Sequence, residues 1–194
     1  MIVDFNKLPN DSRLWIYQSN RDFSNQELDE IRNLTESFLI NWQTHNQELE
    51  VSYEIKYNRF LILAVNESFN SPGGCSIDLS LRFINDLSKK INIDLLDRMN
   101  VNYKDKQDIK CVKVNELKEL LNNKSISEET IIFNNLVKTK IDYMNNFNDF
   151  HNVKDLKFDI EKLQEGLNQV LKIKNYDNAN GIENFAAICL NQIP

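Results

Sequence analysis

The chain has 194 residues, 41% of them hydrophobic and 27% charged, which suits one folded domain with material to spare; four glycines and three prolines exclude collagen-like and linker sequence. Twenty-three basic against 29 acidic side chains give a net charge of -6, and residues 1–50 hold only 4 basic against 9 acidic groups, so the cation stripe needed for nucleic-acid binding is missing. No apolar run approaches the ~20 residues of a membrane span, no secretory leader opens the chain, and Cys75, Cys111 and Cys189 form no disulfide or metal spacing, so a cytoplasmic setting is expected.

The first element expected is a short buried strand, Arg13-Leu14-Trp15-Ile16-Tyr17-Gln18. Ser24-Asn25-Gln26-Glu27 then forms a capping box, with Phe23 and Leu28 as its hydrophobic staple. Leu28, Ile31, Leu34, Phe38 and Trp42 follow at helical spacing and predict one amphipathic helix of about five turns. Residues 50–57 alternate, with Val51, Tyr53, Ile55 and Tyr57 on one face and Glu50, Ser52, Glu54 and Lys56 on a wet one. Asn58-Arg59 offers a tight turn into Phe60-Leu61-Ile62-Leu63-Ala64-Val65, which reads as a central strand covered on both sides.

Ser76 is a candidate cap for a second helix through Ile77, Leu81, Ile84, Leu87 and Ile91. Met99, Val101 and Tyr103 and then Ile109 and Cys111 suggest a hairpin, and Asn115 is expected to cap a short helix. The order so far, β-α-β-β-α-β, predicts an α+β fold: a ferredoxin-like sheet with two helices on one face, plus additional C-terminal helices. A further helical pattern at 128–147, apolar on two sides, is expected to cover the open face or to form a homo-oligomer interface, with strand as the alternative for 130–133. A boundary is expected near residue 150. Residues 151–194 would form an accessory tail of a helix at 156–171 and an apolar run at 185–190, or open a following domain.

Lys (17) outnumbers Arg (6), and 29 asparagines are spread evenly, as a biased coding composition produces. All six arginines lie in the first 98 residues, where each marks a possible need for a planar, many-donor head.

Several short motifs carry a resemblance. These are residues 13–18, Phe38 to Trp42 with His45, Arg59-Phe60-Leu61-Ile62-Leu63, Gly74-Cys75-Ser76-Ile77-Asp78-Leu79-Ser80 and Phe133-Asn134-Asn135-Leu136-Val137. Over residues 1–150 the chain resembles an uncharacterised Bacteroidetes family often labelled "ABC transporter ATPase". The family brings no established activity and no catalytic residues. The label implies a glycine-rich loop ending in Gly-Lys-Ser/Thr, yet none of Gly73, Gly74, Gly166 and Gly181 precedes a lysine, so no ATPase activity is expected.

Two constellations could carry chemistry. Ser71-Pro72-Gly73-Gly74-Cys75-Ser76-Ile77-Asp78 brings two glycines to a helix start, where free amides favour an anion or a thiolate. With His45 past the end of the first helix, Cys75 and Asp78 supply the ingredients of a nucleophilic cysteine site. Ordinary packing of Cys75 and dipole complementation by Asp78 explain the same residues without chemistry. In the second constellation, Arg13, Tyr17 and Arg59, with Trp15 and Arg21, could line a pocket for an anion, while Gly73, Gly74 and Ser76 could contact one through the backbone. His45 and His151 are the only histidines, so no metal site is expected, nor any cofactor.

The reading that results is a cytoplasmic binding or interaction protein without ATPase activity, for a small anionic ligand or a protein partner. The alternative is a small enzyme built on Cys75 and His45.

Overall fold

The computed structural model describes residues 1–127, 130–147 and 151–152. The chain opens with a single 3-10 turn, Phe5–Lys7, then strand β1 (Arg13–Gln18) and helix α1 (Asn25–Asn41). The expected box caps α1: Ser24 Oγ accepts from Glu27 N–H and the Glu27 carboxylate accepts from Ser24 N–H at 2.7 Å. Trp42 closes the helix as its C-cap.

Arg21 grips Glu27 through two hydrogen bonds of 2.7 and 2.9 Å, and with the Ser24 amide it holds this carboxyl down at about 2. A depressed carboxyl stabilises the fold above the unfolded carboxylate range and ceases to as pH falls toward 2. The stability advantage of the native chain over Glu27→Gln is therefore expected to shrink steadily between pH 5 and pH 2.5 in urea titrations.

A two-strand hairpin follows, β2 (Gln43–Thr44) and β3 (Gln47–Glu48), whose turn residues His45 and Asn46 both take positive φ. Strands β4 (Val51–Lys56) and β5 (Phe60–Val65) form the next hairpin, with Tyr57 and Asn58 at φ of 53° and 50°. Left-handed pairs of this kind match a tight turn to the strand twist. Asparagine accepts that conformation readily, tyrosine less so.

The sheet is antiparallel in the order β1-β5-β4, with Gln18 opposite Phe60 and Lys56 opposite the same residue from the other side. Every residue of β5 is fully buried. Alternation explains why its sequence does not alternate: Leu61 and Leu63 face α1 and helix α2 (Gly74–Ile91), while Phe60, Ile62 and Ala64 face the opposite layer. Both helices cover one face, where Ile31, Ile84 and Leu87 meet Tyr17 and Phe38 stacks on Phe83 at 4.4 Å. Leu8, Phe133, Val137, Tyr143 and Phe147 cover the other face, so the part of the expected 128–147 segment from Phe133 to Phe147 does lie over the sheet.

It does so in a different form. In place of one helix there is a short strand β8 (Ile131–Ile132), a turn, and helix α4 (Lys140–Asn146). Asn134 Oδ1 accepts from Leu136 N–H and Thr139 Oγ1 accepts from Asp142 N–H, local bonds that compete with helix continuation. Ser76 also departs from its expected role. Gly73 is the N-cap of α2, and the buried Ser76 hydroxyl donates to Gln43 O at 2.8 Å. Helix α3 (Leu117–Asn122) starts after Glu116 rather than Asn115.

The largest difference lies in the fourth strand. Residues 100–113 do form the expected hairpin, β6 (Asn100–Asp105) and β7 (Asp108–Lys113), but β6 does not flank β1. It joins a second antiparallel sheet, β7-β6-β8-β9, with β9 at His151–Asn152. The start of the β1 edge that it would have used is taken by another segment: Leu14 N–H donates to Lys138 O at 2.8 Å and Lys140 N–H to Ser12 O at 2.9 Å. A strand edge pairs once, so β6 cannot run along this stretch of β1. The molecule is thus α+β with a three-stranded split β-α-β sheet, not the single four-stranded ferredoxin-like sheet expected. The pairing of β8 with β9 runs just past the expected boundary near residue 150. The expected helix at 156–171 and the apolar run at 185–190 lie outside the described residues.

Candidate functional site

The hairpin at 43–48 fixes the start of α2. Trp42 Nε1 donates to Ser76 O at 2.8 Å, and Gly73 N–H donates to Thr44 Oγ1 at 3.1 Å. This arrangement brings His45 close to the loop before Cys75, because a Cβ on Gly73 would stand 3.4 Å from His45 Nε2. His45 lies past the end of α1, as expected, and occupies the turn of the hairpin that follows. Cys75, Asp78 and His45 are all exposed, and among the described residues no hydrogen bond joins Cys75 to either partner. Neither Gly73 nor Gly74 has positive φ, and a Cβ on Gly74 would meet nothing within 4 Å, so Gly74 is not demanded by its surroundings.

The expected arginine pocket does not assemble. Arg13 pairs with Val65 and Arg59 precedes Phe60, which puts the two guanidinium groups at opposite ends of the sheet. Arg13 lies 4.7 Å over the Trp15 ring and reaches Glu67 at 3.3 Å. Tyr17 is buried under the helices, and that burial pushes its hydroxyl up to about 12. Arg21 serves the α1 cap described above.

Arg59 is buried and fastens the two sheets together. It holds Asp22 through Nε at 2.8 Å and Nη2 at 2.6 Å, and Nη1 donates to Asn102 Oδ1 at 3.1 Å. Asn102 in turn donates to Gln18 Oε1 and Ser19 O, while Gln18 donates to Asn100 O at 2.6 Å. The sequence signal, an arginine in a lysine-rich chain, was real, but it marks a many-donor structural clasp.

The structure builds a different site. An open cleft of about 620 Å³ lies between β4, residues 2–6 and α4. Its cause is visible in the backbone. Met1–Val3 pairs in parallel with Val51 through Val51 N–H to Met1 O at 3.0 Å and Val3 N–H to Val51 O at 2.9 Å. The chain then turns away into the 3-10 helix, capped by Asp4, and leaves the rest of the β4 edge behind.

Glu54 stands in this cleft, accepting from Tyr143 Oη at 2.8 Å and pairing with Lys56 at 3.3 Å. Burial, then the Glu54 bond, pushes the Tyr143 hydroxyl far above the usual tyrosine range. Lys140 also lines the cleft and is only 4% exposed. Its ammonium donates to Asn6 O at 2.9 Å and Leu8 O at 2.5 Å and sits 5.8 Å from the Phe5 ring. Among the described residues no carboxylate pairs with it. Ile2 and Met144 form an exposed apolar rim.

Sequence reasoning placed Glu54 and Lys56 together on a wet face, where the structure instead lays the N-terminal arm and α4. Nothing in the sequence marked Lys140 or Tyr143 for this cleft, and Tyr143 reaches Glu54 from 89 positions away.

Among the described residues, no three His, Cys, Asp or Glu side chains gather as metal ligands, and no helix is long and apolar enough to cross a membrane. Compared with known proteins, the chain matches no family model, no curated protein and no solved structure.

Proposed function

We propose that this protein is a cytoplasmic binding module without catalytic turnover, and that the cleft between β4, the N-terminal arm and α4 takes an anionic ligand. The observation that carries the reading is Lys140: the residue is 4% exposed, is one of those lining an open cleft, and has no carboxylate partner among the described residues. A buried cation whose partners among the described residues are carbonyls has lost most of its hydration, and an incoming anion would give it a charge partner. The cleft volume falls within the ~300–1,000 Å³ of small-molecule sites. Of the other ionic groups there, Glu54 and Lys56 pair with each other and the Asp4 carboxylate accepts from Asn6 N–H as the cap of the 3-10 turn, which favours holding over proton transfer. Kinship with the Bacteroidetes family, drawn from the motifs at 13–18, 59–63 and 74–80, forms part of the same proposal and adds no activity to it.

The test is a thermal-shift screen with small carboxylates and phosphates on the full chain and on Met144→Glu, which plants a negative charge on the exposed rim. The expected result is stabilisation by some of these anions, cut at least tenfold in apparent affinity by the substitution. No stabilisation, or stabilisation indifferent to Met144→Glu, would overturn the reading.

The approach of His45 to Gly73 favours one second reading, a nucleophilic Cys75. A binding module predicts that iodoacetamide labels Cys75 at neutral pH no faster than an unstructured thiol, and equally in His45→Gln. Labelling tenfold faster and dependent on His45, followed by mass spectrometry of the Cys75 peptide, would transfer the proposal to the enzyme.

A further inference from the structure

The cleft has a second property that a pocket for small anions does not need. Val51 turns both its N–H and its C=O outward, to Met1 and Val3. Strand alternation turns the same groups of Tyr53 and Ile55 outward as well. β4 is the edge of its sheet, and among the described residues nothing pairs with these four groups. The edge demonstrably accepts a strand, since the protein's own first three residues occupy its beginning. It stops being used where Val3 O takes a hydrogen bond from Ser52 Oγ at 2.8 Å and the arm departs.

We propose that the stretch of the β4 edge left unpaired among the described residues receives an extended peptide as an added strand, and that a carboxylate on this peptide pairs with the buried ammonium of Lys140. The proposal rests on the cleft being the binding site and names its ligand class. Tyr53 and Ile55 are two residues apart, about 7 Å along a strand, so a peptide of three or four residues satisfies all four backbone groups. Main-chain pairing supplies affinity, and a fixed charge at one end supplies register. Tyr53, Glu54, Lys56 and Lys140 all line the one cleft, which places strand edge and ammonium within reach of one short peptide. The exposed Ile2 and Met144 offer apolar contact for its side chains. A bare strand edge is a hazard that proteins normally blunt, and here it is retained beside a buried charge.

The experiment uses the full chain and three immobilised libraries of random acetylated hexapeptides. The first ends in a free carboxylate and lacks acidic residues, the second is amidated and lacks them, and the third is amidated with one internal aspartate. The expected result is retention from the first or third library at least tenfold above the second; whichever is retained identifies the carboxylate as terminal or side-chain. A retained peptide is expected to slow hydrogen exchange at the Tyr53 and Ile55 amides at least tenfold and to lose binding in Lys140→Gln. Should that variant not fold, the comparison among libraries on the native chain decides the same point.

Equal retention of the second library, or protection that bypasses Tyr53 and Ile55, overturns the proposal. Concentration-dependent protection of those amides without peptide also overturns it, because a second copy of the chain is then the occupant. If no library is retained while small anions still stabilise the protein in a Met144-dependent way, the peptide class fails and the binding-module reading survives. If both fail, the cleft is not a binding site.

Discussion

Replacing Trp42 by alanine is expected to destabilise the protein by about 3–5 kcal/mol, the usual cost of deleting a large buried aromatic. The indole is 2% exposed and packs between Trp15, at 5.9 Å edge-on, and Phe38, at 5.3 Å. Leu39, Leu49, Val51 and Val65 complete its cluster, so one side chain ties α1, β1, β4 and β5 together. The indole N–H also reaches Ser76 O, which anchors the first turn of α2. Trp42→Phe keeps much of the volume and loses the hydrogen bond, a loss of about 1 kcal/mol on that account. Urea unfolding of the two variants separates packing from hydrogen bonding. A Trp42→Ala protein within 1 kcal/mol of the native chain would show that this cluster is not the joint described.

The second large effect is expected at Arg59. Breaking a buried ionic contact typically costs about 3–5 kcal/mol because the remaining groups are stranded. Here the Asp22 side chain is 68% exposed and recovers hydration, so about 2–3 kcal/mol is expected for Arg59→Met. The stranded group is Asn102 Oδ1, on a residue 1% exposed. Arg59→Lys restores the charge without the planar fork and recovers less than half of the loss.

Location tests this account better than total stability. Arg59, Asn102 and Gln18 join the two sheets, whereas β5 draws its stability from apolar contacts on both faces. Hydrogen exchange should therefore accelerate in β6 while β5 keeps its protection. Equal acceleration in both strands would show that Arg59 supports the first sheet rather than the junction.

The contrast between Arg59 and Lys140 bears on function. Both are buried cations in one small protein, at 6% and 4% exposure. Arg59 has a carboxylate and an amide as partners. Lys140 has two carbonyls and an aromatic ring, and a cleft runs beside it. The sequence had suggested Arg59 for ligand binding and passed over Lys140. The difference between them lies in what the surrounding chain supplies, and charge alone does not reveal that.

Local pattern was enough to determine much of the first half of this protein. Ser24 and Glu27 start α1, the 50–57 alternation makes a strand, and the unbroken apolar run at 60–65 makes a doubly covered centre. Each of these signals is written within a few residues, because capping bonds and side-chain alternation act over one or two turns of chain. The hairpin at 100–113 was legible on the same ground. The destination of β6, the broken helix at 131–146 and the cleft were decided only in the tertiary structure. β6 lies in the second sheet while residues 138–140 bond to the start of the β1 edge, an arrangement of segments more than 30 positions apart. The cleft joins residues 2–6, 52–56 and 140–144, whose side chains meet only after the N-terminal arm has paired with Val51 and turned away. A hydrogen-bonding edge can be filled once, and no local sequence pattern records which distant segment fills it.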